Sequence, residues 1–151
     1  MRLATAILFL VLTTGLVGCD SVHRAHQKHA ITVMRDLGTQ LMEHSERWQT
    51  SKVTDSATPA TTRVEPDQLR QWLPGVELES LVDRWGRPLE VWVHDVGGTR
   101  QLIIRALGRD GQPDVAVPDR QWLSQAGSFP GGEPDRDIVW VDGYFVTWPE
   151  G

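Results

Sequence analysis

Between Asp20 and Trp48 the chain runs without a proline and with a single glycine, Gly38, while Ala30, Val33, Met34, Leu37, Leu41 and Met42 recur at intervals of three and four. This spacing predicts a long helix with one apolar stripe, and one stripe calls for one partner surface. A helix of that length reaches about 43 Å, more than a small domain needs to cover its sheet. The stripe from Ala30 onward is therefore expected to dock, with residues 19–29 projecting as a solvated stalk. His23, His26 and His29 lie in this polar half beside Lys28. Neighbouring pairs of them could share a metal, but the three drift around the axis without a carboxylate at a matching step, which favours the solvated stalk.

The partner surface is signalled farther along. Leu89, Val91 and Val93 alternate with Glu90, Trp92 and His94, and after the Asp95–Thr99 turn Leu102 and Ile104 alternate with Ile103 and Arg105. A second hairpin is expected where Ile138–Val141 and Tyr144–Trp148 flank Asp142-Gly143. Four antiparallel strands against the stripe of one long helix bury two amphipathic surfaces together, so the expected class is α+β, a long N-terminal helix on a small sheet of about four strands. Glu65-Pro66 should open a short helix carrying Leu69, Trp72 and Leu73, stopped by Pro74-Gly75. Gln49–Arg63, rich in Ser and Thr and without an apolar period, is expected to be a loop.

A length of 151 residues bounds the chain to one small domain plus what its ends add. Fifteen Lys and Arg against 20 Asp and Glu leave a net charge of -5 with no cationic stripe, which argues against a nucleic-acid partner. Seven tryptophans supply core anchors, and a single cysteine excludes both an internal disulfide and a multi-cysteine zinc site.

That cysteine, Cys19, ends a targeting segment. Arg2 precedes the apolar run Ala4–Leu12, and residues become smaller toward Leu16-Val17-Gly18-Cys19. The run is short for a membrane span. The stretch resembles a bacterial lipoprotein signal, which implies removal of residues 1–18 and lipidation of Cys19. Asp20 directly after it resembles the signal that keeps lipoproteins of two-membrane bacteria on the inner membrane. The resemblance implies a protein tethered to the periplasmic face of the inner membrane, the outer membrane being the less favoured site, by acyl chains numerous enough for a durable hold.

The loop from Gly108 to Asp137 carries Asp110, Asp114, Asp119, Glu133, Asp135 and Asp137 among glycines. Such a loop suits a hard cation, and it equally suits solvated acids on glycine turns. Asp83-Arg84-Trp85-Gly86-Arg87-Pro88, Leu107-Gly108-Arg109-Asp110-Gly111 and Gly131–Ile138 together resemble the C-terminal globular part of the major pseudopilin of type II secretion. The likeness spans roughly residues 30 to 139. It implies a structural turn at Asp83, Trp85, Gly86 and Pro88, and calcium held by Asp110, Asp135 and Asp137 with Leu107 and Gly132 as carbonyl donors. Residues 115–129 stand as an insertion between the two arms of that loop. A pseudopilin begins with a short basic leader and an apolar helix, whereas this chain has Cys19 and a polar helix, which implies a tethered head rather than a filament-core subunit.

These features imply a domain organisation of signal peptide 1–18, anchored stalk 19–29 and pseudopilin-like domain 30–151. The expected role is non-enzymatic, an accessory or structural component of secretion or envelope assembly, with secretion-system or envelope proteins as partners. The alternative is a free-standing structural or binding lipoprotein. Trp92, on the strand face opposite Val91 and Val93, and Trp122, in the insertion, are candidate contact residues that could equally pack on the chain's own loops. His94, Asp95, Ser124 and Ser128 form no recognisable catalytic pattern, since adjacent strand residues point to opposite faces.

Overall fold

The computed structural model describes residues 3–50, 60–96, 99–131 and 133–150, with side chains from Ser21 onward. Helix α1 spans Leu3–Glu43 without a break, and after a turn at His44 a short α2, Ser45–Gln49, folds back. Ala30, Met34, Leu37 and Leu41 are fully buried, as the stripe predicts. Met42 is instead 39% exposed. Its place is taken by Trp48, which reaches back from α2 and donates its indole N–H to the Leu41 carbonyl at 2.8 Å. Among the described residues no helix is long and apolar enough to cross a membrane.

The sheet has six strands rather than four. In chain order they are β1 (Ala60–Arg63), β2 (Glu90–Val96), β3 (Thr99–Ala106), β4 (Ser128–Phe129), β5 (Ile138–Val141) and β6 (Tyr144–Pro149), and in space the order is β1-β2-β3-β5-β6-β4. The two expected hairpins form its centre. Val91 faces Ile104 and Val93 faces Leu102 across β2 and β3, and Asp142-Gly143 makes the β5–β6 turn with φ of 45° and 106°. The two strands beyond the expected set lie at the edges. β1 pairs antiparallel with β2 inside the stretch expected to be a loop, and β4 adds two residues parallel to the end of β6. Most of that expected loop, residues 51–59, lies outside the described residues.

The class is therefore α+β, with one long N-terminal helix against a mixed six-stranded sheet. The inner face of the sheet (Val91, Val93, Leu102, Ile104, Ile138, Trp140) packs on the α1 stripe. At Gly38 the helix comes so close that a Cβ would sit 2.6 Å from the Trp140 ring, so any other residue there would have to displace the ring. Helix α3, Pro66–Trp72, opens with a reciprocal capping box between Glu65 and Gln68 and buries Leu69 and Trp72 beside the same core. A single 3₁₀ turn, Leu78–Ser80, leads from it toward β2.

The outer face is also covered. Trp92, Ile103 and Val139 form a second buried cluster, and Trp122 and Leu123 from the 115–129 segment pack onto it. Those two residues belong to α4, Arg120–Leu123, whose first turn is capped by Asp119 accepting from the Trp122 amide at 2.9 Å. Trp122 and Leu123 thus cover part of the outer sheet face.

Candidate functional site

The three segments singled out in the sequence meet at one end of the molecule, around the turns of α1 closest to Cys19. The turn at Asp83 is organised by its own carboxylate. Buried Asp83 accepts through Oδ1 from the amides of Trp85 at 2.8 Å and Arg87 at 2.9 Å, and Gly86 takes a φ of 78° to close the loop. Trp85 is thereby presented to the helix, edge-on to His26 with ring centroids 5.2 Å apart, while the Arg87 guanidinium lies over its ring at 5.5 Å.

Arg87 joins this turn to the second segment by donating to the Arg109 carbonyl at 2.8 Å. The second segment is pressed onto the third. Arg109 donates its amide to the Pro134 carbonyl at 2.7 Å, and a Cβ on Gly108 would collide with the Asp135 backbone. Gln27, only 2% exposed, donates its side-chain amide to the Glu133 carbonyl at 3.2 Å, and Arg109 lies 3.5 Å from the His23 ring. Docking thus begins about a turn before Ala30. Residues 23–27 sit in a collar of loops rather than on a solvated stalk, because Trp85, Arg109 and Glu133 reach them from three separate segments. His23 faces Arg109 and His26 faces Trp85.

Several acidic residues of the loop are met by arginines, Asp114 and Glu133 by Arg136. Asp135 takes two bonds from Arg109, at 2.9 and 2.8 Å. Asp110 turns back to its own chain and accepts from the Gln112 amide at 3.0 Å. Asp137 is fully buried, accepts from the amides of Asp114 at 2.9 Å and Gly108 at 3.4 Å, and lies 3.8 Å from the Arg105 guanidinium. Burial pushes its carboxyl up to about 6, with the neighbouring Asp114 charge adding to the rise while the amide bonds and Arg105 oppose it. Of the residues that the resemblance assigns to calcium, Asp135 and Asp137 thus have other partners and Asp110 bonds within its own turn. Among the described residues no three His, Cys, Asp or Glu side chains converge on one point. Calcium requires six to eight oxygens, whereas Asp135 and Asp137 here face cationic and N–H donors. Leu107 is half-buried at the end of β3, and Gly132 lies outside the described residues.

Above the collar, the outer sheet face holds a buried charge network that the sequence reading missed. Arg105, 1% exposed, donates to Glu90 at 2.7 Å and to the Val115 carbonyl at 2.6 Å, and its guanidinium lies 5.4 Å from the Trp92 ring centroid. Arg63 adds a second cation to Glu90 at 3.2 Å. The legible signal was the register, which sets Glu90 opposite Arg105 on adjacent strands. Trp92 is 8% exposed in this network, and Trp122 is half-buried against the same cluster, so both candidate contact residues pack on their own chain.

The residues weighed for catalysis are dispersed. The His94 ring accepts or donates a bond with the Thr61 hydroxyl at 2.7 Å, Asp95 pairs with Arg100 at 3.4 Å, Ser124 donates to the Gln121 carbonyl, and Ser128 to Glu150. A cavity of about 340 Å³ opens between α3, the 3₁₀ turn and β2, lined mainly by Leu37, Val64, Leu69, Leu81 and Leu89 with the Arg63–Glu90 pair at its side. Among the described residues its lining holds no serine, cysteine or histidine. Cys19 and Asp20 lie within α1, their side chains outside the described part. Comparison with family models, with curated proteins and with solved structures found no match.

Proposed function

We propose that this chain is a lipid-anchored, periplasm-facing protein whose folded head is its working part, a pseudopilin-like accessory or structural component of secretion or envelope assembly. The observation that carries this reading is the continuity of α1. The helix that contains the lone Cys19 runs unbroken into the domain, and the first turns after Cys19 are gripped by the Trp85 turn, Arg109 and the Glu133 loop. An acyl group on Cys19 would therefore be joined rigidly to the head.

The pseudopilin-like part of the reading is supported by the juxtaposition of the three resembling segments, which adjoin in space although separated along the chain. In this head arginines stand at two of the three carboxylates that the likeness assigns to calcium, Asp135 and Asp137, and the insertion is used to cover the outer sheet face. The test is membrane fractionation followed by mild solubilisation and identification of what co-purifies. Wild-type protein in the membrane fraction, release of a Cys19→Ser variant, and recovery of secretion or envelope components support the reading. Recovery of the protein alone in repeated preparations contradicts the accessory role and leaves the free-standing lipoprotein.

A further inference from the structure

Resting on the lipid-anchor reading, we infer that the collar end of the domain lies directly on the bilayer, with Arg24, Arg84 and Trp85 in a layer of anionic headgroups. The argument begins with length. Helix α1 is continuous from before Cys19, so His23 follows it by one turn, about 6 Å, and Gln27 by two turns, about 12 Å. The headgroup layer on each side of a bilayer is roughly 5–8 Å thick. Loops of the domain already contact His23, His26 and Gln27, so the chain has no spacer to lift the head clear of the surface.

The chemistry of the collar suits that position. Arg24 and Arg84 are exposed, and neither forms an ion pair among the described residues. Three acids of the collar are met by other arginines, Asp83 by Arg87, Asp135 by Arg109 and Glu133 by Arg136, while Asp110 accepts from a main-chain amide, which leaves the exposed Arg24 and Arg84 to face an external anion. Val22 is half-exposed one turn from the anchor, and Trp85 is half-buried with Arg87 stacked on it, an amphipathic pairing suited to the water–lipid boundary. The net acidic remainder of the chain would be repelled by the same anionic surface, which orients the head with the collar down.

The experiment uses the acylated mature protein, purified from membranes, in vesicles of phosphatidylethanolamine with phosphatidylglycerol, and in vesicles of phosphatidylcholine alone. Lipids brominated near the headgroup quench tryptophan fluorescence by proximity. The expected result is quenching in the anionic vesicles that is about halved in Trp85→Phe and in the Arg24→Glu, Arg84→Glu double variant. A second readout needs no variant: amide exchange of residues 83–88 in the wild type should slow in anionic vesicles relative to neutral ones. Equal quenching in wild type and Trp85→Phe together with unchanged exchange overturns the inference and shows the collar turned to solvent or to a protein. The mass of the N-terminal peptide from the same sample separates this failure from failure of the anchor itself, since an unacylated Cys19 would remove the premise.

Discussion

Asp114 and Asp137 exchange bonds from main-chain amide to side-chain carboxylate. The amide of Asp114 donates to the Asp137 carboxylate at 2.9 Å, and the amide of Asp137 donates to the Asp114 carboxylate at 3.2 Å. This reciprocal pair ties the chain just before the 115–129 segment to the first residues before β5. Two carboxylates can share so small a space because Arg136 meets Asp114 at 3.1 Å and Arg105 lies beside Asp137.

The pair makes stability depend on pH. Burial lifts the Asp137 carboxyl from its ordinary 3.8 to about 6. A folded-state value above the unfolded one means that the protonated form favours the fold. That contribution is fully present below the unfolded value and is lost as pH rises through about 6. Between about pH 7.5 and pH 5 the wild type should gain stability relative to Asp137→Asn, measured as the difference in urea midpoints at the two pH values. Parallel pH profiles for the two proteins would contradict this assignment.

The buried network at Arg105 gives a larger effect. Arg105→Ala removes the partner of Glu90, of Asp137 and of the Val115 carbonyl at once, leaving two acids below the surface. The expected loss is about 3–5 kcal/mol. A double change, Glu90→Met with Arg105→Met, should recover much of it by replacing the pair with apolar volume, as measured by chemical denaturation. A loss from Arg105→Ala no larger than that of a surface substitution would show that the network is not closed.

Much of the inner half of this fold is written in the sequence, because apolar periodicity carries it. Ala30, Met34, Leu37 and Leu41 mark the helix stripe, and Val91, Val93, Leu102 and Ile104 mark the strand faces against it. What escaped is held by polar contacts, which have no period. Gln27 belongs to the stripe by spacing, three before Ala30 and seven before Met34, yet its side chain hides it. β1 is Ala-Thr-Thr-Arg and is fixed by pairing with β2, not by alternation. Of the carboxylates read as cation ligands, Asp137 lies beside Arg105 and Asp135 pairs with Arg109, a choice that depends on which side chains the collar brings within reach.

Two close backbone approaches distinguish side-chain from main-chain crowding. Gly38→Ala drives a methyl into the Trp140 ring, which can shift, and should cost about 1–3 kcal/mol. Gly108→Ala meets the Asp135 backbone itself, which cannot shift without moving the collar, and should cost at least as much. Thermal melts of the two variants against the wild type check the order. A Gly108→Ala protein as stable as the wild type would mean that the two arms of the loop are not in contact.

The engagement of Asp135 by Arg109 and of Asp137 by main-chain amides predicts indifference to calcium. Melting temperatures with calcium and with a chelator should coincide, because a ligand stabilises only by binding the folded state and Asp135 and Asp137 are already engaged. Arg109→Ala should lower stability modestly, by about 0.2–1 kcal/mol, since its pair with Asp135 is nearly half exposed. A rise of several degrees with calcium, abolished by changing Asp135 and Asp137 together to alanine, would show that the loop opens to take an ion.

The central claim is that Cys19 is the first mature residue and carries the anchor, and the intact mass of protein purified from the membrane fraction tests it most directly. The account predicts a chain beginning at Cys19 whose mass exceeds that of residues 19–151 by a glycerolipid and its acyl groups. A mass equal to the full 151 residues, with the Cys19 thiol free to react with a maleimide, would contradict it.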